Sequence, residues 1–83
     1  MYWVYVLENP RGRFYIGSTD DLPRRIEDHN SAEKVSSKYT HKNGSWQLVW
    51  SEEHPTRSSA MVREKAIKRM KSAQWIRHEL LKR

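Results

Sequence analysis

The sequence predicts an α+β fold: a small, mainly antiparallel three-stranded sheet flanked by helices, forming a single domain over residues 1–83. Three short runs rich in β-branched and aromatic residues indicate strands, and three stretches with helical spacing of apolar residues indicate helices. The length of 83 residues suits one domain with a small core. The predicted strands lie near 2–7, 14–17 and 46–51, and the predicted helices near 21–29, 59–71 and 73–81.

The first two strands are predicted to form a hairpin, because the residues between them include Pro10 and Gly12. Side chains alternate between the two faces of a strand, so Tyr5 and Tyr15 can lie on one side of the sheet. Gly17 is expected to end the second strand. Its missing side chain would let another backbone or a substrate approach closely.

The first predicted helix carries two polar residues on its inner face. Leu22, Arg25, Ile26 and His29 follow the i, i+3, i+4, i+7 spacing and therefore share one side of the helix. Leu22 and Ile26 anchor that side to the sheet, which holds Arg25 and His29 one turn apart. The alternative interpretation is a surface ion pair for Arg25 and an ordinary polar helix end for His29.

The third predicted strand, near 46–51, places Trp46, Leu48 and Trp50 on one face. Both indoles are expected in the core. Base stacking is the minority interpretation, because stacking platforms have to be exposed. Residues 52–55 are predicted to form a loop, because Pro55 lacks a backbone N–H and stops the strand.

The helix near 59–71 has an apolar arc with a carboxylate at its margin. The arc consists of Val62, Ala66, Ile67 and Met70, with Ala60 at its edge. Arg63 falls inside the arc, where only an ion pair or a reach across the sheet would account for it. Glu64 is expected to be neither fully exposed nor central in the core, a position that suits a metal-binding carboxylate. The alternative is a helical ion pair between Glu64 and Lys68.

The net charge of +6 lies entirely in the last part of the chain. Residues 1–62 carry eight basic and eight acidic residues, whereas residues 63–83 carry eight basic and two acidic ones. Such a block favours a polyanion partner, although a solvated helix surface would look the same. An anionic membrane is the weaker third option, because the apolar face that it needs is expected in the core. The residues expected to contact nucleic-acid phosphates are Lys38, Lys42, Lys65, Lys68, Arg69 and Lys71.

Composition excludes several classes of site. The chain has no cysteine, so neither a disulfide partner nor a zinc–thiolate site is expected. No apolar run approaches the length of a membrane span, and no signal-peptide pattern is present. The expected location is therefore cytoplasmic, with no membrane partner.

An ordered set of five residues resembles the GIY-YIG nuclease superfamily: Tyr5, Tyr15, Arg25, His29 and Glu64. The likeness is closest to the small stand-alone branch, which is similar to the N-terminal catalytic domain of the repair nuclease UvrC. The resemblance implies a divalent-metal-dependent DNA endonuclease, with Mg²⁺ or Mn²⁺ held by Glu64 and the phosphate held by Arg25. It also implies that Tyr5 is the general base, helped by the positive charge of Arg25, while Tyr15 and His29 orient the water or relay its proton. His29 acting as the base is the open alternative.

The chain departs from the family pattern after the metal glutamate, where many members carry an asparagine. Gln74 is the nearest amide here, and Ser72 is a second candidate for that supporting role. Tyr39 could reach the site or pack on the sheet. The resemblance implies a DNA endonuclease that acts in repair or recombination. Because only the C-terminal basic block is available for recognition, we expect cleavage to depend on DNA structure rather than on sequence. The alternatives are a non-catalytic nucleic-acid-binding module and, third, a protein-interaction domain.

Overall fold

A computed structural model describes residues 1–30 and 45–83 and confirms the α+β fold class. The elements are β1 (Tyr2–Glu8), β2 (Phe14–Thr19), α1 (Leu22–Asn30), β3 (Gln47–His54), α2 (Arg57–Arg69), α3 (Ala73–Trp75) and a π-helical segment (Ile76–Leu80). The π-helical segment continues α3 without a break. Within the described ranges, no helix has the length and apolar character to cross a membrane.

The sheet is antiparallel throughout, with β1 at its centre and the order β2-β1-β3. In the β1–β2 pair, Tyr5 stands opposite Gly17 and Leu7 opposite Tyr15. Four consecutive β1 residues, from Val4 to Leu7, have no solvent exposure. The central strand is therefore buried on both of its faces.

Aliphatic side chains bury one side of the sheet, which we call the aliphatic face. Val4 and Val6 form one cluster with Ala60 and Ile67 of α2 and with Ile76 of the π-helical segment. α2 packs against both β1 and β2, and the π-helical segment joins the cluster through Ile76. This face supplies most of the conventional hydrophobic core.

The opposite side, which we call the aromatic face, is covered by α1. Tyr5 and Leu7 cluster there with Trp46, and Tyr15 packs against them. Leu22 and Ile26 of α1 pack on the same cluster, as the sequence predicted. Asn30, the last residue of α1, fixes Trp46 from both sides: its amide donates to the Trp46 carbonyl at 2.9 Å and its oxygen accepts from the Trp46 N–H at 2.6 Å.

A bulge in β3 makes one sequence prediction wrong. Val6 pairs with Trp50, but the next β1 residue, Leu7, pairs with Leu48, so β3 carries one extra residue. An extra residue reverses the alternation of side chains on either side of it. Trp46 consequently lies on the aromatic face and Trp50 on the aliphatic face, rather than both on one face.

The buried side of α2 also differs from the predicted arc. Ala60 and Ile67 are buried, whereas Val62 is 69% exposed and Met70 46% exposed. Glu64 lies half-buried between the two buried residues. The predicted arc is correct for Ile67 and for Ala60 at its edge, and wrong for Val62 and Met70. Polar contacts to the sheet, made by Glu64 and Arg63, accompany this rotation of α2.

One of those contacts accounts for Arg63. Its Nε donates to Glu52 Oε1 at 3.2 Å, and its guanidinium lies 5.8 Å from the Trp50 ring centre. Glu52 also accepts a 2.8 Å bond from His54 Nε2.

The prediction of a loop at residues 52–55 is wrong for residues 52–54. These three residues continue β3, which ends at His54, immediately before Pro55.

Other boundaries shift by one or two residues. β2 continues past Gly17 to Thr19. The N-cap of α2 is Thr56, whose Oγ1 accepts a 3.1 Å bond from the Ser59 N–H. At the start of α1, Asp21 Oδ1 accepts from the Arg24 N–H at 3.2 Å. Both helices thus begin with a side-chain cap of the expected type.

Candidate active site

Tyr5 reaches the site by lying across a glycine of the neighbouring strand. A Cβ atom at Gly17 would lie 2.5 Å from Tyr5 Oη and 2.7 Å from Tyr5 Cζ, which no real side chain tolerates. The ring of Tyr5 is fully buried in this position. Gly17 therefore makes room for the tyrosine itself, so its backbone faces a side chain of the site and not a substrate.

Four of the sequence-predicted residues converge around the Tyr5 hydroxyl. Tyr5 Oη lies 2.9 Å from His29 Nε2, and Arg25 Nε donates to the same oxygen at 3.4 Å. The Tyr15 ring centre is 4.6 Å from that of His29 and 6.4 Å from that of Tyr5. Because α1 packs on the aromatic face, its spacing delivers Arg25 and His29 to one tyrosine.

Burial keeps both hydrogen-bonded groups neutral. Desolvation raises the pKa of Tyr5 to about 12, although the hydrogen bond and charge of Arg25 oppose that rise. Desolvation, together with the charge of Arg25, lowers the pKa of His29 to about 4, although the charge of Asp28 opposes that fall. Arg25 does lower the pKa of Tyr5, as expected, but burial outweighs its effect and the net shift is upward. A neutral imidazole has one unprotonated nitrogen, so His29 Nε2 can accept the bond that Tyr5 donates.

The Glu64 carboxylate is held from two sides. Ser18 Oγ donates to Glu64 Oε1 at 2.7 Å, and Lys68 Nζ lies 2.6 Å from Glu64 Oε2. The ion pair considered as the alternative for Glu64 is thus present. Ser18 was missed in the sequence analysis. Alternation along β2 places Ser18 on the opposite face from Gly17, the face that α2 covers, and this could have identified it as a partner of Glu64.

One cleft brings the carboxylate and the site arginine together. Arg25 and Glu64 both line a cleft of about 360 Å³ beside the end of β2, with Ser18 and Asp20 between them. Arg57, at the start of α2, lines the same cleft, and its guanidinium lies 5.5 Å from the Tyr2 ring centre. Arg57 was not singled out in the sequence analysis, because residues 1–62 carry equal numbers of basic and acidic residues.

The donor set fits a divalent cation that the protein holds only loosely. Among the described residues, no three His, Asp or Glu side chains come together as a metal cage. Mg²⁺ is commonly held by one or two carboxylates, with water and substrate phosphate completing its shell. Glu64, with Asp20 on the same cleft, meets that lesser requirement.

The remaining candidates that the structure describes do not line this cleft. Lys65 and Arg69 are exposed on α2, and Gln74 is exposed on α3. Ser72 caps α3, where its Oγ accepts from the Trp75 N–H at 3.1 Å. Lys38, Tyr39 and Lys42 lie outside the described residues, as does any contact they make.

Comparison with known proteins gives consistent matches. A family model described as the GIY-YIG catalytic domain matches residues 1–77. A UPF0213 protein of Halobacterium salinarum is 38% identical over 89% of this chain and 94% of its own length. One from Haloquadratum walsbyi is 40% identical over 81% of this chain and 73% of its own length. The solution NMR structure of the Bacillus halodurans UPF0213 protein aligns with a TM-score of 0.53 and 35% identity, covering 95% of this chain and 86% of that one.

Proposed function

The chain belongs to the GIY-YIG catalytic domain family, a nuclease-type domain, and on that premise we propose that it is a divalent-metal-dependent DNA endonuclease. The observation that carries the proposal is the convergence of a hydrogen-bonded tyrosine–histidine pair, an arginine and a carboxylate at one place. Tyr5, His29 and Arg25 are in direct contact, and Arg25 shares its cleft with Glu64. Structure-directed cleavage in repair or recombination is the role we propose for this activity.

The attacking water loses its proton through a relay that needs no tyrosinate. Tyr5 Oη accepts the proton of the water while it gives its own proton to His29 Nε2, 2.9 Å away. The pKa of Tyr5, about 12, is then no obstacle, because Tyr5 is neutral before and after the step. The negative substrate phosphate favours the imidazolium that forms, offsetting the burial that lowers the pKa of His29.

Arg25 binds the scissile phosphate and fixes the relay at the same time. Its Nε is occupied by Tyr5 Oη, which leaves the four N–H bonds of its two terminal nitrogens for phosphate oxygens. Because the guanidinium is hydrogen-bonded to Tyr5, it holds the phosphate at a fixed distance from the water that Tyr5 deprotonates. The charge of Arg25 also stabilises the pentavalent transition state.

Glu64 is the residue that would hold Mg²⁺ or Mn²⁺. When bound, such an ion supplies positive charge to the phosphate and to the leaving oxygen. The Ser18 hydroxyl orients the carboxylate through its 2.7 Å bond to Oε1. Lys68 occupies Oε2, so its ammonium has to share or release that oxygen when a cation is present.

The proposal is tested by cleavage of labelled single-stranded, flap, fork and four-way-junction DNA with Mg²⁺ or Mn²⁺. We expect cleavage by the natural protein and a loss of about 100-fold or more in Glu64→Gln and in Tyr5→Phe. Glu79→Gln, the same change at an exposed glutamate of the π-helical segment, is the matched control and should cleave normally. Absence of divalent-dependent cleavage of every substrate would overturn the proposal.

The second candidate is a non-catalytic nucleic-acid-binding module. It is favoured by one observation: both oxygens of Glu64 already have partners within the protein. This candidate predicts salt-dependent DNA binding without cleavage, and binding that Glu64→Gln leaves unchanged. The same substrate panel separates the two candidates.

A further inference from the structure

A second pocket lies on the aliphatic side of the domain, between β2 and the end of α2. Its volume is about 350 Å³, within the range of small-ligand sites. Unlike the cleft of Glu64, it is lined mainly by apolar groups. These are Phe14 and Ile16 of β2, Ile67 of α2, Ala73 of α3 and Ile76.

The rim of this pocket is positively charged. Arg13, Lys68 and Lys71 all line it, and no acidic residue among those that the structure describes does so, although Lys68 is paired with Glu64. An apolar floor beneath a cationic rim complements a molecule that joins a flat apolar ring to a phosphate. A nucleotide with its base unpaired has that chemistry.

Lys71 has a backbone conformation that its residue type disfavours. It follows the C-cap of α2 and has φ of +49°, in the left-handed region. Glycine is usual at this position, because a Cβ atom raises the energy of left-handed backbone. Lys82 is left-handed as well, so the conformation alone assigns no role; what distinguishes Lys71 is that it also lines the pocket.

Lys68 connects this pocket to the candidate active site. Its ammonium is 2.6 Å from Glu64 Oε2, and its side chain also lines the apolar pocket. Lys68 therefore lines the pocket and contacts a carboxylate that lines the cleft. A strand whose phosphate lies at Glu64 has to continue about one helical turn along α2, ~6 Å, to reach the second pocket.

From this arrangement we propose that the pocket binds an unpaired base of single-stranded DNA, next to the scissile phosphate. Lys71 and Arg13 hold the phosphates of that strand, while the base lies on Phe14, Ile16 and Ala73. A base stacked within a duplex cannot enter, so the pocket selects substrates with an unpaired segment. The inference rests on the proposed endonuclease function and names its substrate class.

The contribution of Lys71 is tested with two matched glycine substitutions. Lys71→Gly and Lys82→Gly remove the same charge from the same left-handed backbone, since Lys82 has φ of +58°. Only Lys71 lines the pocket. We expect both variants to raise the melting temperature, because glycine relieves the strain. Binding of a fluorescent oligothymidylate of about eight nucleotides, measured by anisotropy in EDTA, should weaken several-fold in Lys71→Gly alone.

The salt dependence gives a second readout from the same titrations. Loss of one phosphate contact should lower the slope of log K against log salt by about 0.7 in Lys71→Gly and leave it unchanged in Lys82→Gly. Equal weakening in both variants would show a general effect of net charge and overturn the assignment of Lys71. No weakening in either variant would overturn it as well.

The base itself is tested by filling the pocket. Ala73→Leu places a larger side chain among the lining residues, and His78→Leu, at an exposed residue outside the pocket, is the control. The natural protein and His78→Leu should bind oligothymidylate at least about fivefold more tightly than a strand of the same length that carries abasic sites. Ala73→Leu should lose this preference. Equal binding of abasic and thymidine strands by the natural protein overturns the base pocket, and retention of the preference in Ala73→Leu does so too.

These outcomes are independent of catalysis, because EDTA removes the divalent ion. Cleavage by a protein without base preference would reject only the pocket. Base preference in a protein that never cleaves would reject the endonuclease and retain the pocket.

Discussion

The two faces of the sheet are buried equally deeply by different chemistry. Val4 and Tyr5 are neighbours on β1 and neither has any solvent exposure. Val4 meets aliphatic side chains of α2, whereas Tyr5 meets His29 and Arg25 of α1. One strand therefore carries the core on one side and the candidate chemistry on the other.

The difference shows how each kind of burial tolerates change. The aliphatic face is stabilised by non-directional contacts, so its energy depends on volume and area. On the aromatic face, the Tyr5 hydroxyl and His29 are buried polar groups, and each stabilises the fold only while its partner is in place. Small displacements should therefore harm the aromatic face more than the aliphatic one.

The sharpest test of this contrast is Gly17→Ala on the aromatic face. The new methyl would overlap Tyr5 Oη and Cζ, so the ring has to move away from His29 and Arg25. We expect the cleavage rate of the proposed endonuclease to fall by about 100-fold or more. Overpacking should also lower the free energy of unfolding by about 1–3 kcal/mol. Full cleavage by this variant would show that the position of Tyr5 is not critical.

The next test lowers the pH to protonate His29, which removes the acceptor of the Tyr5 hydrogen bond. His29 has a folded pKa of about 4 against an ordinary value of 6.5, so between these values the unfolded chain binds more protons. Stability should therefore fall as pH drops below 6.5, by about 3 kcal/mol in total at pH 4. Urea denaturation of the natural protein and His29→Gln, compared from pH 7 to 4, isolates this contribution.

A matched control for the histidine is available on the exposed surface. His78→Gln changes the same residue type on the π-helical segment, where the side chain is exposed. The natural pH dependence should persist in His78→Gln and flatten in His29→Gln. Equal curves for the natural protein and His29→Gln would contradict the burial of a neutral histidine.

The aliphatic face should respond in stability alone. Val6→Ala removes two methyl groups from a fully buried position and leaves a cavity, which costs about 2 kcal/mol. Because Val6 points away from Tyr5, the cleavage rate per folded molecule should stay within about twofold of the natural rate. Denaturation and single-turnover cleavage measured on one preparation provide both numbers. A large loss of rate in the folded protein would mean that the two faces are coupled.

The smallest expected effect lies at the start of α2, away from both faces. Thr56→Ala removes the cap on the Ser59 N–H and should lower the free energy of unfolding by about 1 kcal/mol. Ser58→Ala, a similar change at an exposed residue two positions further along, is the control and should change stability little. The opposite ranking in thermal denaturation would reassign the cap.

Sequence patterns predicted the parts of the fold that depend on local spacing. Alternation along β1 predicted that Tyr5 and Tyr15 share a face, and helical spacing predicted that Arg25 and His29 do. The structure has both arrangements. Such patterns are set within one or two turns or strands, so no distant contact is needed to anticipate them.

The errors arose where a distant contact decides the outcome. The bulge that separates Trp46 from Trp50 depends on how β3 pairs with β1. The rotation of α2 depends on polar partners, Ser18 for Glu64 and Glu52 for Arg63. The raised pKa of Tyr5 depends on burial that only the assembled domain provides. None of these is encoded in the spacing of apolar residues.

The strand order also implies a sequence of folding events. β1 and β2 are adjacent in the chain and can pair within about 1–10 μs, whereas β3 has to close a much longer loop. An isolated hairpin is only marginally stable, so it persists once β3 and α2 dock on it. We therefore expect the Tyr5–Gly17 register to form early and the aliphatic cluster late. Contacts made by Ile67 should then govern mainly the unfolding rate, and contacts across the hairpin the folding rate.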